Sequence, residues 1–311
     1  MAAATVAASG GRRRPRGRVR RLIGSALRTR RGMLGASLAL IVVAIGLLGP
    51  FVSDSPLAFT AVPLAPRGDG NGLLGSDILG RDVFARVMSG GWRILLLASA
   101  ATALAISVGT AVGVVAAYRR GLVDTLSMRT VDILLALPQL VFVLLMLSVV
   151  GPKPWLVILA AGLSQAPQVA RVVYAAAQEV CERDFVKAVA VWGVPPRIVI
   201  RRHVVPSLVS PLMVECGIRL SGSIVLIAGL GFLGLGTTPP APDWGVMINE
   251  NRLGLASNPW GVLAPVVLLG LLAVGTNLFS DAIARVNIGD RTVVDPILSD
   301  PILTSRAGEL L

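Results

Sequence analysis

Six long stretches of this chain carry almost no charge, and they constrain its fold more than any other feature. An α-helix needs about 20 apolar residues to cross the hydrocarbon core of a membrane. Charged residues make up only 15% of the 311 residues, whereas soluble domains carry about 25%. We therefore predict an all-α polytopic membrane protein with six transmembrane helices. The predicted spans are residues 32–53, 94–117, 133–152, 154–170 with an extension to 177, 204–236 and 253–280.

The basic residues predict the orientation of these spans. Ten arginines lie between Arg12 and Arg31 with no acidic residue among them. If the N-terminus lies inside the cell, 22 of the 29 Lys and Arg residues fall in inside segments and six in outside segments. Cytoplasmic segments are enriched in Lys and Arg, so we predict that both termini are cytoplasmic. A basic tail could also bind nucleic acid or anionic lipid, but its place before an apolar span favours a topology signal, and we predict no nucleic-acid partner.

The sequence offers little material for catalysis or for metal binding. One His and two Cys cannot build a metal cluster of the common kinds or a disulfide framework. The two lysines, Lys153 and Lys187, are not followed by Ser or Thr, so the phosphate-binding loop of ATPases is missing. We expect a non-catalytic protein without a cofactor and without a metal site.

A charged segment between the fourth and fifth spans has the pattern of a helical hairpin. Apolar residues recur there at i, i+3, i+4 and i+7, from Phe185 to Trp192, which is helical spacing. Gly193 suits the left-handed residue that ends a helix, and the prolines after it prevent the helix from continuing. Such a hairpin either lies on lipid headgroups or docks onto a cytoplasmic partner. The candidate docking residues are Asp184, Phe185, Ala188, Val189, Trp192, Gly193, Val194 and Pro195.

This segment resembles the cytoplasmic coupling signature of binding-protein-dependent ABC importer permeases. The family pattern is Glu-Ala-Ala, three residues, Gly, nine residues and Ile-x-Leu-Pro. Ala188, Gly193 and Pro206 match it at the right spacing, whereas Lys187 stands in place of the Glu. Three further positions depart from the pattern, namely Val189, His203 and Val205.

Two other stretches are similar to the peptide and nickel branch of that family. Residues 74–86 resemble the segment before the second span, and residues 231–236 with the Pro-rich loop 239–245 resemble the exit of the fifth span. The resemblance covers roughly residues 20–286 and is greatest to the "C" subunit of dipeptide and oligopeptide permease pairs. It implies the type I ABC importer (MetI-like) permease fold.

The resemblance also implies what the protein does and what it assembles with. It implies a permease subunit that moves short peptides into the cytoplasm across the inner (plasma) membrane of a bacterium. The alternative is the same architecture importing nickel or another small solute. The implied partners are a second, homologous permease, two P-loop ATPase subunits or one fused pair, an external solute-binding protein and the lipid bilayer.

Two sets of charged residues are further candidates for function. Glu215 and Arg219 are an i, i+4 pair inside the fifth span, where ionisable residues are costly and often functional. They either contact a zwitterionic peptide in the pathway or neutralise each other inside the helix bundle. The second set either caps and flanks a short outer helix or docks the binding protein, and it consists of Asp77, Arg81, Asp82 and Arg86.

These features divide the chain into four predicted parts. The permease core carries the predicted coupling hairpin, and the two ends are polar. The parts are a basic cytoplasmic tail at 1–31, a first span with its outer loop at 32–93, the permease core at 94–286 with the hairpin at 182–203, and a polar cytoplasmic tail at 287–311.

Overall fold

The described part of the protein is helical, as the apolar pattern predicts. The computed structural model describes residues 15–52, 56–59, 62–67, 72–236 and 240–294, with the backbone alone at 15–19, 190 and 287–294. Within these residues the chain forms no β-strand. The α-helices are α1 (Pro15–Ala26), α2 (Arg30–Val52), α3 (Val83–Ser89), α4 (Gly91–Arg119), α5 (Leu122–Ala136), α6 (Gln139–Val150), α7 (Pro154–Cys181), α8 (Asp184–Val191), α9 (Pro196–Val199), α10 (Val205–Ser207), α11 (Val209–Phe232), α12 (Trp244–Asn251) and α13 (Trp260–Val294).

The long helices account for the predicted spans. Within the described ranges, five helical segments are long and apolar enough to cross a membrane, and a bent pair, α5 with α6, brings the number to six if it counts as one span. The fifth predicted span starts later than expected, at Val209, because a π-helical turn at Ile200–Val204 and the short α10 precede it. The sixth starts at Trp260, because a 3₁₀ turn at Arg252–Gly254 precedes it.

The two ends of the chain contain more helix than the sequence indicates. α1 lies within the predicted basic tail, and α13 continues to Val294, inside the predicted polar tail. Residues 1–14 and 295–311 of these two tails lie outside the described residues.

The third predicted span is not a single straight helix. α5 and α6 meet at an angle of 85°, and Leu137 between them has an extended backbone with ψ of 129°. The cause is Pro138, because proline disfavours helical geometry in the residue before it and has no N–H to donate. The sequence prediction missed this break, since it followed the uncharged run and not the proline within it.

The most extensive helix contact of the described chain joins α4 and α7, and it contains two glycines. A Cβ atom at Gly109 would lie 2.6 Å from Cβ of Val169, and one at Gly113 would lie 2.6 Å from the carbonyl oxygen of Ala170. Real Cβ atoms do not approach that closely. The Gly-x-x-x-Gly pattern therefore lets the two backbones pack directly against each other, as such patterns do in membranes.

The helical body has two distinct ends. At one end, Ala26 of α1 packs with Ala282 and Ile283 of α13 and with Met213 near the start of α11. The chain between α7 and α11 lies at this same end. At the other end, Trp244 of α12 is fully buried, and its Nε1–H donates to the carbonyl oxygen of Val87 at the end of α3, at 2.7 Å.

Candidate functional site

Residues 184–204, here called the hairpin, form two short helices joined by a sharp turn. α8 ends where the N–H of Trp192 donates to the carbonyl oxygen of Ala188 at 3.1 Å. Gly193 follows with φ of +75°, a conformation that costs a residue with a Cβ atom roughly 1–2 kcal/mol. A Cβ at Gly193 would meet no atom within 4 Å. The backbone turn, and not crowding within this chain, is therefore what requires glycine.

The hairpin buries a different side of α8 from the one that the spacing predicts. Val186 is only 2% exposed and packs in one cluster with Val199 and Val204 from the second half of the hairpin. Apolar residues occupy both sides of this short helix, so the period alone could not select the buried side. The predicted apolar side is instead partly or largely exposed, and it consists of Phe185, Ala188, Val189 and Trp192.

The exposed aromatic residues leave an apolar tip on the hairpin. Trp192 is 80% exposed, and its neighbour Val191 is 84% exposed. Phe185 is partly covered by His203, whose ring approaches it edge-on with the centroids 6.1 Å apart. An exposed Trp beside an exposed Val is costly in water. The tip therefore presents a surface suited to an apolar partner.

Ion pairs tie the base of the hairpin to the ends of α4 and α7. The guanidinium of Arg120 donates to one carboxylate oxygen of Glu182 at 2.5 Å, and the ammonium of Lys187 lies 3.7 Å from the other oxygen. Arg120, mainly through its hydrogen bond, lowers the pKa of the Glu182 carboxyl. Lys187 stands where the family pattern has Glu, and its ammonium pairs with a carboxylate of the same chain.

The second half of the hairpin is strongly basic. Arg197, Arg201 and Arg202 line an open cleft of about 570 Å³ together with Ile198. All three arginines are exposed, and no ion pair found in the described ranges includes any of them. The cleft is therefore a cationic surface on the same hairpin as the apolar tip.

The predicted pair within the fifth span is formed and mostly buried. Nε of Arg219 lies 3.0 Å from Oε2 of Glu215, and the two side chains are 17% and 8% exposed. Arg219 also donates from Nη1 to the side-chain oxygen of Gln168 on α7. The pair is thus neutralised within the bundle, but the arginine keeps a partly accessible side.

A small polar cluster continues from this pair along α4, α7 and α11. The amide of Gln165 donates to Oγ of Ser223 at 2.8 Å, and that hydroxyl lies 3.1 Å from Oγ1 of Thr102. All three side chains are buried. The sequence analysis missed them because they carry no charge. The available signal was the pair of glutamines, Gln165 and Gln168, inside an apolar span, where an amide needs a partner.

Three of the predicted docking residues lie inside the protein. Asp77, Arg81 and Arg86 are at most 2% exposed, and with Glu250 of α12 they form a network here called the outer cluster. Oδ2 of Asp77 lies 2.7 Å from Nε of Arg81 and 2.6 Å from Nη1 of Arg86. Oε2 of Glu250 lies 2.7 Å from the same nitrogen of Arg86. These charges are thus enclosed within the protein and paired with one another.

The fourth residue of that set, Asp82, has a local role. Its carboxylate accepts the N–H of Phe84 at 2.9 Å and so caps the start of α3. This is the capping role that the sequence analysis weighed against docking. Glu250 was missed altogether, because it lies 164 residues from Arg86 in the chain and no local pattern connects them.

Among the described residues, no group of three or more His, Cys, Asp or Glu side chains is placed to hold a metal ion. The described residues instead form two exposed surfaces and one line of polar side chains inside the bundle, here called the polar seam. The surfaces are the apolar tip and the cationic cleft of the hairpin. The seam runs from Arg219 to Thr102 inside the bundle.

Comparison with known proteins matches the chain to one family model and to several permease proteins. Residues 109–287 match the family model described as binding-protein-dependent transport system inner membrane component. A peptide permease protein of Brucella ovis is 35% identical over 211 residues, which are 67% of this chain and 70% of that protein. A peptide transport system permease protein of Brucella suis is 32% identical over 273 residues, 88% of this chain and 90% of that protein. The dipeptide transport system permease protein of Alkalihalophilus pseudofirmus is 29% identical over 82% of both chains.

Proposed function

The chain belongs to the family of binding-protein-dependent transport system inner membrane components, and from that premise we propose that it is the membrane-spanning permease subunit of an ATP-driven importer of short peptides. The names of its relatives support peptides as the cargo, since they refer to peptide or dipeptide transport. The alternative cargo, nickel or another small solute, is not favoured by these names.

The observation that carries this proposal is the exposed tip of the hairpin. A Trp that is 80% exposed, on the same hairpin as a cleft lined by three arginines that form no ion pair within the described chain, suits a partner with an apolar pocket and an acidic rim. We assign this partner role to an ATPase subunit, which supplies the ATP hydrolysis. The residues proposed to make the contact are Asp184, Phe185, Ala188, Val189, Trp192, Gly193, Val194 and Pro195.

The complete transporter requires more subunits than this chain. We propose that it pairs with a second, homologous permease, that two ATPase subunits or one fused pair bind the hairpins of the two permeases, and that an external binding protein delivers the peptide. In this arrangement, Glu215 and Arg219 line part of the substrate path. The accessible side of Arg219 suits the carboxylate of a peptide, because a guanidinium binds carboxylates bidentately.

We propose that the hairpin end of the molecule faces the cytoplasm and that both termini lie there. α1 packs against the last part of α13 and against the start of α11, which follows the hairpin, so these elements share one end. The excess of Lys and Arg in the same segments supports the cytoplasmic side. Reporter fusions after Arg67 and after Asp290 test this: the first is expected outside and the second inside, and two reporters on one side would contradict the topology.

Reconstitution tests the function itself. Proteoliposomes containing both permeases and the ATPase subunits are supplied with the binding protein and a labelled dipeptide. We expect peptide-loaded binding protein to stimulate ATP hydrolysis and ATP to be required for dipeptide uptake, with no comparable uptake of labelled nickel. Dipeptide flux that needs neither ATP nor the binding protein would contradict an importer subunit and indicate a channel or a secondary transporter.

A further inference from the structure

A group of exposed arginines surrounds the junction between α1 and α2. Arg20 and Arg21 belong to α1, Arg28 lies in the link, and Arg30 and Arg31 form the first turn of α2. All five are exposed. No ion pair of the described chain includes any of them. Five exposed cations that no described acidic side chain neutralises form a surface suited to anions.

Packing fixes this surface at the boundary of the membrane. Leu22 and Ala26 of α1 are buried, and Ala26 packs against Ala282 and Ile283 of α13. Only residues 27–29 separate α1 from α2, which is a candidate membrane span from its first residue. The arginines therefore lie where α2 leaves the hydrocarbon, and α1 cannot move far from that level.

Exposed apolar residues adjoin the arginines. Leu27 is 41% exposed, Met33 is 57% exposed and Leu34 is 60% exposed. Met33 and Leu34 fall within the first two turns of the spanning helix, where acyl chains can cover them. Cations beside exposed apolar groups are typical of a surface at the membrane interface.

We propose that these arginines bind the phosphate groups of anionic phospholipids and that α1 lies in the headgroup layer. A guanidinium binds a phosphate with two parallel hydrogen bonds, and lipid phosphates stand at the depth where the arginines lie. Nucleic acid fits the surface less well, because its phosphates would have to approach an anionic leaflet next to exposed Leu27 and Met33. The inference concerns lipid alone and does not depend on the cargo or on the ATPase.

Native mass spectrometry of the full-length chain in nonionic detergent provides the test. The protein is titrated with phosphatidylglycerol or with phosphatidylcholine. An arginine near an anionic headgroup strengthens binding by about fivefold, so Arg20→Gln/Arg21→Gln is expected to weaken phosphatidylglycerol binding by roughly 25-fold. The matched control is Arg67→Gln/Arg252→Gln, which removes two exposed arginines from the opposite end and should change the affinity by less than about twofold.

The remaining outcomes would overturn the proposal. Equal losses in the two double variants would show that general charge, and not this surface, binds the lipid. Displacement of phosphatidylglycerol by inorganic phosphate at the same concentration would indicate a site for free anions. Displacement by an RNA oligonucleotide would assign the surface to nucleic acid instead.

Discussion

The outer cluster and the hairpin lie at opposite ends of the helical body and differ in the burial and pairing of their charged and aromatic side chains. In the outer cluster, two carboxylates and two guanidinium groups pair with one another, and Asp77, Arg81 and Arg86 are at most 2% exposed. Trp244, which lies on the same helix as Glu250, is fully buried. In the hairpin, Trp192 is 80% exposed, and the arginines of the cleft have no acidic partner in the described chain.

This difference distinguishes a region whose charges balance within one chain from a region that we propose binds a partner. The buried charges of the outer cluster hold α3 and the outer loop against α12 and balance one another, although Nε and Nη2 of Arg86 have no hydrogen-bond partner among the described residues. The hairpin is anchored at its base by the packing of Val186 and by the ion pair of Lys187 with Glu182, which also binds Arg120, whereas the aromatic and apolar residues of its tip are exposed. The account therefore predicts that changes in the two regions affect different measurable quantities.

The largest effect is expected for Asp77→Asn. Removing one partner of a buried ion pair leaves unbalanced cations and costs about 3–5 kcal/mol of stability. The matched control is Asp82→Asn, five residues away, where Asn caps a helix as well as Asp does. A thermal unfolding scan of the detergent-purified protein should show a large decrease for the first variant and nearly none for the second. Equal unfolding temperatures would contradict the view that the outer cluster supports the fold.

Two tryptophans give the next comparison. Trp244→Ala should lower stability by about 3–5 kcal/mol, since it removes a large buried side chain. Trp192→Ala should leave stability unchanged within about 0.5 kcal/mol, as for an exposed site. At the same time it should weaken binding of the ATPase subunits by about 2 kcal/mol, because an aromatic residue at an interface is a common hot spot. A stability loss from Trp192→Ala with unchanged ATPase binding would show that Trp192 supports the fold and does not contact the ATPase.

The pair of Glu215 and Arg219 is intermediate in exposure between the outer cluster and the hairpin tip, since it is mostly buried but has one accessible side. Glu215→Gln alone should destabilise the protein by about 2 kcal/mol, because it leaves a partly buried guanidinium without its counter-ion. Glu215→Gln/Arg219→Gln should recover most of that loss. If the recovered double variant also transports dipeptide normally, the pair has no part in the substrate path, and we would retain only its structural role.

The smallest effect concerns pH and the base of the hairpin. Arg120 lowers the pKa of Glu182 from its ordinary value of 4.5, so the pair contributes its stabilisation above pH 4.5 and loses it as the pH falls through the lowered pKa. The contribution is small because both side chains are 58% exposed and solvent screens them. Hydrogen exchange of α8 should therefore increase slightly only at acidic pH, and Glu182→Gln should abolish that dependence. If hydrogen exchange of α8 still increases at acidic pH in the variant, a titratable group other than Glu182 causes the increase.

The sequence predicts the spans well and the charged sites poorly, for physical reasons. A span is a local property, so runs without charge locate α2, α4, α7, α11 and α13. The break at Leu137 was also local, but the proline was not weighed. The outer cluster depends on Glu250, which meets Arg81 across 169 residues, and no pattern within one segment could place it. In α8, both sides are apolar, so only the packing against Val199 and Val204 decides which one is buried.

The central claim is that the turn of the hairpin positions a surface for an ATPase partner. Equilibrium binding of the ATPase subunits to reconstituted permease tests it most directly, with Gly193→Asp compared with Gly121→Asp. Gly121 also has a positive φ, of +68°, and a Cβ there would likewise meet nothing within 4 Å, but it lies in the turn between α4 and α5. We expect Gly193→Asp to weaken binding by at least about tenfold and Gly121→Asp by less than about threefold. Equal affinities for the two variants would contradict the claim.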